Sequence, residues 1–147
     1  MSRWTFVVPI VALACSRGPP APSPVDPRND ACASCRMLVS DLRTAAQLVS
    51  PGEEPLFFDD LGCLGRYLRE HPVRRGAVAY VADHRTGKWV PAREAVYVLQ
   101  PSASTPMGSH LLSYGSASSR DSDPAARGGR SVPAGEALGE PSPEATR

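Results

Sequence analysis

The chain has 147 residues, a formal net charge of +1 and 21% charged residues. That balance excludes nucleic-acid binding, which needs a concentrated basic face. Both ends are rich in Pro, Gly and Ser, and the roughly 85 residues between them suffice for one small core. Four cysteines and three methionines are the residues through which chemistry is to be sought.

The first residues, "MSRWTFVVPIVALAC", place Arg3 before an apolar run from Trp4 to Ala14. This reads as a secretory signal over 1–14, too short for a stable membrane span. "ALAC" also fits a bacterial lipobox, in which Cys15 becomes the lipidated first residue. The plainer alternative is an ordinary signal peptide with Cys15 incidental. Ser16 leans towards outer-membrane sorting. "SRGPPAPSPVDPRND" follows with no apolar periodicity, so residues 15–31 read as the lipidated N-terminus and a semi-extended Pro-rich spacer.

The main domain is expected over 32–115. "AAQLVS", the turn signal "PGEEP" and "LFFDD" predict a hairpin joining Ala45–Val49 to Pro55–Asp59. Asp60 can cap a helix in which Leu61, Leu64 and Leu68 share one face, ended by Pro72. Arg66, Arg69, Arg74 and Arg75 around it read as a solvated face. Val78–Ala82 is a compact apolar run and predicts a buried strand, and "DHRTGK" turns the chain. "EAVYVLQ" is a further strand rich in β-branched and aromatic residues. A short one is expected near Leu111–Tyr114. The pattern predicts an α+β fold, a small mostly antiparallel sheet packed with one main helix. Residues 116–147, dense in Gly, Pro, Ser and Arg, are expected to be loosely ordered.

With Cys15 lipidated, Cys32, Cys35 and Cys63 remain. An odd number of thiols outside the cytoplasm leaves at least one unpaired, so a disulfide framework is a poor account of all three. Three chemistries compete for "CASCRM". A thiol–disulfide oxidoreductase needs its pair at a helix start, whereas this one precedes an apparent strand. Structural zinc needs four ligands, usually in paired clusters; Cys63 is single, and His84 sits in a turn. Copper(I) is soft and takes thiolate and thioether. If the segment is extended, Cys35 and Met37 project to one side. Met107, in "TPMGSH", is expected on an exposed loop, and neither methionine sits in a helical stripe, which weakens a core-filling role. His110 could add a nitrogen ligand, against the blander reading of a surface histidine. Cys63, between Gly62 and Gly65, reads either as a small buried residue or as a ligand. Asp59 and Asp60 face apart and Asp60 is better read as a cap, so no acid, base and nucleophile are set for turnover and no enzyme is expected. Trp89 and Tyr97 read as core aromatics.

The ordered set "ALAC", "CASCRM", "FFDDLGCLGRYL", "VAYVADHRTGKWVPAREAVYV" and "TPMGS" resembles the NosL family, lipoprotein accessory factors of nitrous-oxide reductase maturation in denitrification. The likeness covers most of residues 32–115. It implies a Cu(I)-binding chaperone outside the cytoplasmic membrane, lipid-anchored on the periplasmic side with the outer membrane favoured. Its partners would be membrane copper-delivery machinery and a copper enzyme client. By that resemblance the metal residues are Cys32, Cys35, Met37 and Met107, with Cys63 and His110 as possible additions. Arg36 stands where many relatives have Gly. The alternative of a different class is a periplasmic thiol–disulfide reductase that keeps copper-site cysteines reduced. A third is a lipoprotein that only docks partners, with inert sulfurs and no metal affinity.

Overall fold

A computed structural model describes residues 18–140; the expected signal segment, Cys15 and residues 141–147 lie outside it. Strands β1 (Ala46–Val49) and β2 (Leu56–Phe58) form the expected hairpin. Helix α1 spans Leu61–Glu70, with the Asp60 side chain accepting from the Gly62 N–H at 2.7 Å. It buries Leu61 and Leu64 and stops at His71, before Pro72. Strand β3 (Val78–Ala82) pairs with β1, and β4 (Trp89–Pro91) pairs with β3. The first sheet is therefore β2-β1-β3-β4, antiparallel throughout, and Pro91 sits on its edge strand, where a missing N–H is tolerated.

Strands β5 (Val96–Leu99), β6 (Leu111–Tyr114) and β7 (Arg130–Val132) build a second sheet, ordered β6-β5-β7. The single sheet expected from the pattern is thus two small antiparallel ones. They meet where the Ser113 hydroxyl donates to Ala82 O at 2.7 Å and the His84 N–H donates to Ser113 O at 2.8 Å. One core spans both and includes Leu48, Phe58, Leu64, Val81 and Tyr97. The class is α+β, as expected, and the arginines of α1 face solvent.

Both ends differ from a simple reading of their composition. The Pro-rich segment forms no helix or strand between residues 18 and 30, yet it is pinned across β1 and β3. The Gln47 amide, fully buried, accepts from the Ser23 N–H at 2.7 Å and donates to Ser23 O at 3.1 Å. The Tyr80 hydroxyl donates to Pro20 O, and Val25 packs against the small cluster of Val39, Ala45 and Phe57. β1 is consequently buried on both faces.

The segment after Ser116, expected to be loosely ordered, carries α2 (Ala117–Asp121), a 3-10 turn (Pro124–Ala126), β7 and α3 (Ala134–Ala137). Val132, Ala137 and Leu138 enter the main core. Gly65 permits that approach, because a Cβ there would lie 3.1 Å from Ala137 O. His84 Nδ1 lies 2.8 Å from Asp123 Oδ2, and the Tyr114 hydroxyl donates to the same oxygen. Tertiary contacts thus order a stretch that few local preferences would hold.

Asp83 locks the turn after β3 to α2. Its carboxylate accepts from the N–H groups of Thr86 and Gly115 and from the Ser119 hydroxyl. Burial alone would raise its pKa, but these donors outweigh it and hold the group at about 2, against an ordinary 3.8. A depressed pKa stabilises the fold above the unfolded value, and that stability is lost as pH falls through the folded one. Acid unfolding should therefore consume about 2 kcal/mol through Asp83 between roughly pH 4 and 2. Asp83→Asn should flatten this part of the stability curve when denaturation is followed against pH. An unchanged acid limb would show that Asp83 does not carry it.

Candidate metal centre

The centre is assembled by the elbow between β2 and α1. The chain enters at Ala31, whose backbone bridges to Leu38, and the Ala33 N–H donates to Phe57 O at 2.8 Å in β2. Residues 33–35 turn immediately, the Arg36 N–H donating to Cys32 O and the Cys32 N–H to Met37 O. Arg36 takes a left-handed φ of 68°, which is costly for any residue with a Cβ and suits Gly. The segment is thus a tight turn, and the extended run that would align Cys35 with Met37 is corrected. The same β2 strand ends at Phe58, and α1 starts at Leu61, bringing Cys63 in its first turn back over Cys32.

The Sγ atoms of Cys32, Cys35 and Cys63 all lie within 4.8 Å of one another, and all three thiols are free. Cys32 and Cys63 are fully buried, whereas Cys35 is half-buried. Cys63 thus joins the CxxC pair. A metal bound about 2.3 Å from three coplanar sulfurs spaces them about 4 Å apart, so this cluster could hold an ion without large movement.

The three thiols differ electrostatically. Burial opposes ionisation of Cys32, but the N–H groups of Cys35, Asp59 and Ser34 converge on its sulfur and hold its pKa below the ordinary value. The Cys35 N–H lies 3.4 Å from that sulfur. Successive amides aimed at one atom form a small anion nest. Cys35 is pushed up, first by burial, then by the neighbouring Cys32. Cys63 is pushed up strongly, by burial and by the charge of the other two. One thiolate is therefore easy to form and the next two are not. A bound cation removes that obstacle by neutralising the sulfurs, with release of protons.

Neither methionine is buried. Met37 closes the thiol turn and is 54% exposed; Met107 is 41% exposed. Met107 lies on a loop in which the Gly108 N–H donates to Thr105 O. Its own N–H donates to Asp60 Oδ2 at 3.0 Å, which ties it to the start of the Cys63 helix. His110 has a left-handed φ of 56°, and its Nδ1 lies 2.8 Å from Ala103 O. That contact occupies one ring nitrogen and leaves the other. Cys15, the expected lipidation residue, lies outside the described residues.

Reading the sequence left two features of the site unseen. Asp60 holds a second loop as well as capping α1, and Gly62 is small because a Cβ there would meet the Ser109 Cβ at 2.9 Å. The only hint is their place in "DDLGC". A groove of about 860 Å³ lined by Leu48, Leu68, Val73, Pro91 and Leu138 contains none of the cysteines. No described helix is long and apolar enough to cross a membrane.

Comparison with known families finds a match to the profile described as NosL, over residues 24–138. No curated protein and no solved structure matches. The matched span begins within the pinned Pro-rich segment and ends at Leu138, the last core residue of the C-terminal strap. The chain belongs to the NosL family, an extracytoplasmic, copper-binding accessory family.

Proposed function

We propose that the protein is a Cu(I) metallochaperone, lipid-anchored through Cys15 on the periplasmic side of a bacterial membrane, most naturally the outer one. In this reading it supplies copper for maturation of nitrous-oxide reductase or a related extracytoplasmic copper enzyme, through membrane delivery machinery. The observation that carries it is the three-thiol cluster. Thiolates and thioethers are the donors that Cu(I) prefers over oxygen.

The burial pattern supports transfer by ligand exchange. Cys32 and Cys63 are enclosed, while Cys35 and both thioethers reach the surface. An incoming thiolate from a partner adds at the open side as Cys35 or a thioether leaves. The copper never becomes a free ion, and its oxidation state does not change. In this reading the exposed Met37 and Met107 serve as exchangeable donors.

A second reading, a thiol–disulfide reductase, draws on the depressed pKa of Cys32 beside Cys35. Against it, the pair lies in a turn rather than at a helix start. One experiment separates the two: competition titration of the reduced, anaerobic full chain with Cu(I) against a colorimetric chelator. Near-stoichiometric binding that weakens in both Met37→Ala and Met107→Ala supports the chaperone. No binding above the chelator, together with a reversible Cys32–Cys35 disulfide, assigns the motif to redox chemistry instead.

A further inference from the structure

Asp60 has no exposed surface, and no cation pairs with it among the described residues. Its carboxylate is satisfied from two directions. Oδ1 accepts from the Gly62 N–H at 2.7 Å, which caps the helix carrying Cys63. Oδ2 accepts from the N–H of Met107 itself at 3.0 Å. The Ser109 and Thr105 hydroxyls turn towards the same carboxylate.

Packing repeats the message. Ser109 sits so close to the first turn of α1 that a Cβ at Gly62 would meet its Cβ at 2.9 Å. Within the loop the Gly108 N–H donates to Thr105 O and the His110 N–H to Thr105 Oγ1; at its base the Gln100 N–H donates to His110 O and His110 Nδ1 lies 2.8 Å from Ala103 O. Those bonds shape the loop and root it at the end of β5, and none of them reaches α1. We propose that Asp60 is a positioning residue of the metal centre, its two oxygens fixing the Met107 thioether relative to the thiol cluster. Asp60 touches no metal in this scheme and acts by tying the loop to α1. The inference rests on the reading of Met107 as a copper donor.

Serine is a good helix cap but has one side-chain oxygen, so Asp60→Ser keeps the α1 cap and releases Met107. In the full chain, Met107→Ala and Asp60→Ser should each weaken Cu(I) binding, by about 10- to 100-fold. The double variant should be no weaker than Met107→Ala alone, because both remove one donor from one place. Losses that add, or an Asp60→Ser chain that binds Cu(I) as tightly as the wild type, would overturn the latch. If Met107→Ala has no effect, the thioether is no ligand, and the underlying reading falls with it. Hydrogen exchange on the unaltered protein gives a test independent of folding in the variants. The Met107 amide, on a residue with an exposed side chain, should be protected about as well as the amides of Cys63 and Leu64. Exchange at the rate of an open loop would overturn the proposal whatever the metal does.

Discussion

Cys63→Ser should lower the Cu(I) affinity of the full chain by about 100-fold or more, measured by competition with a chelator. Changing a residue that merely orients a ligand commonly costs 10–100-fold, and the loss of a thiolate, a stronger donor than an exchangeable thioether, should exceed that. The physical ground is the position of Cys63 in the first turn of α1, its sulfur within 4.8 Å of those of Cys32 and Cys35. A hydroxyl in that place is a hard, weak donor for a soft ion. Because Cys63 is fully buried, serine also brings a polar group into the core at a cost of about 1–3 kcal/mol. Cys63→Ala separates the two effects: it should fold nearly as well as the wild type and bind as poorly as the serine variant. An alanine variant with undiminished affinity would reduce the centre to the CxxC pair and the methionines.

Leu138→Ala should cost about 2–4 kcal/mol in denaturant unfolding, the usual range for truncating a well-buried leucine. That is a large fraction of the stability of a domain this size. Leu138 is 5% exposed and belongs to the main core together with Leu48 and Leu64. The same strap can be lifted from the other side. Gly65→Val would press a β-branched side chain against Ala137 O, already 3.1 Å from an ideal Cβ. If both changes detach the strap, their costs should fall well short of adding, since Leu138 loses little once its contacts are gone. A Leu138→Ala chain within about 0.5 kcal/mol of the wild type would mean that the C-terminal segment does not support the fold.

The two variants also bear on the metal centre through one element. Helix α1 presents Cys63 to the thiol turn and Gly65 to the C-terminal strap. The Met107 loop rests on the cap of that helix. A loss of copper affinity in Leu138→Ala larger than its loss of stability explains would show that the strap tunes the centre as well as supporting it.

What the sequence by itself determined is the set of elements with strong local signals. The Asp60 cap, the leucine spacing and Pro72 bound α1 closely. "PGEEP" between two apolar runs gave the hairpin, and the run Val78–Ala82 is β3 to the residue. The sulfur motif was equally legible, since residue type and short spacing carry it, and with it the expectation of a soft metal. Only the tertiary structure decided what depends on distant residues. No periodicity relates Cys63 to Cys32; their meeting follows from the Ala33–Phe57 bond and the sharp passage from β2 into α1. The turn at Arg36 overrides the extended backbone its neighbours suggest. The Pro-rich segment has no helix or ladder of its own, yet Gln47 and Tyr80 satisfy its backbone. The Gly- and Ser-rich segment after Ser116 is held in the same way, through Leu138, Gly65 and Asp83. In both, the free energy that fixes the backbone comes from surfaces the segment meets only once the rest has folded.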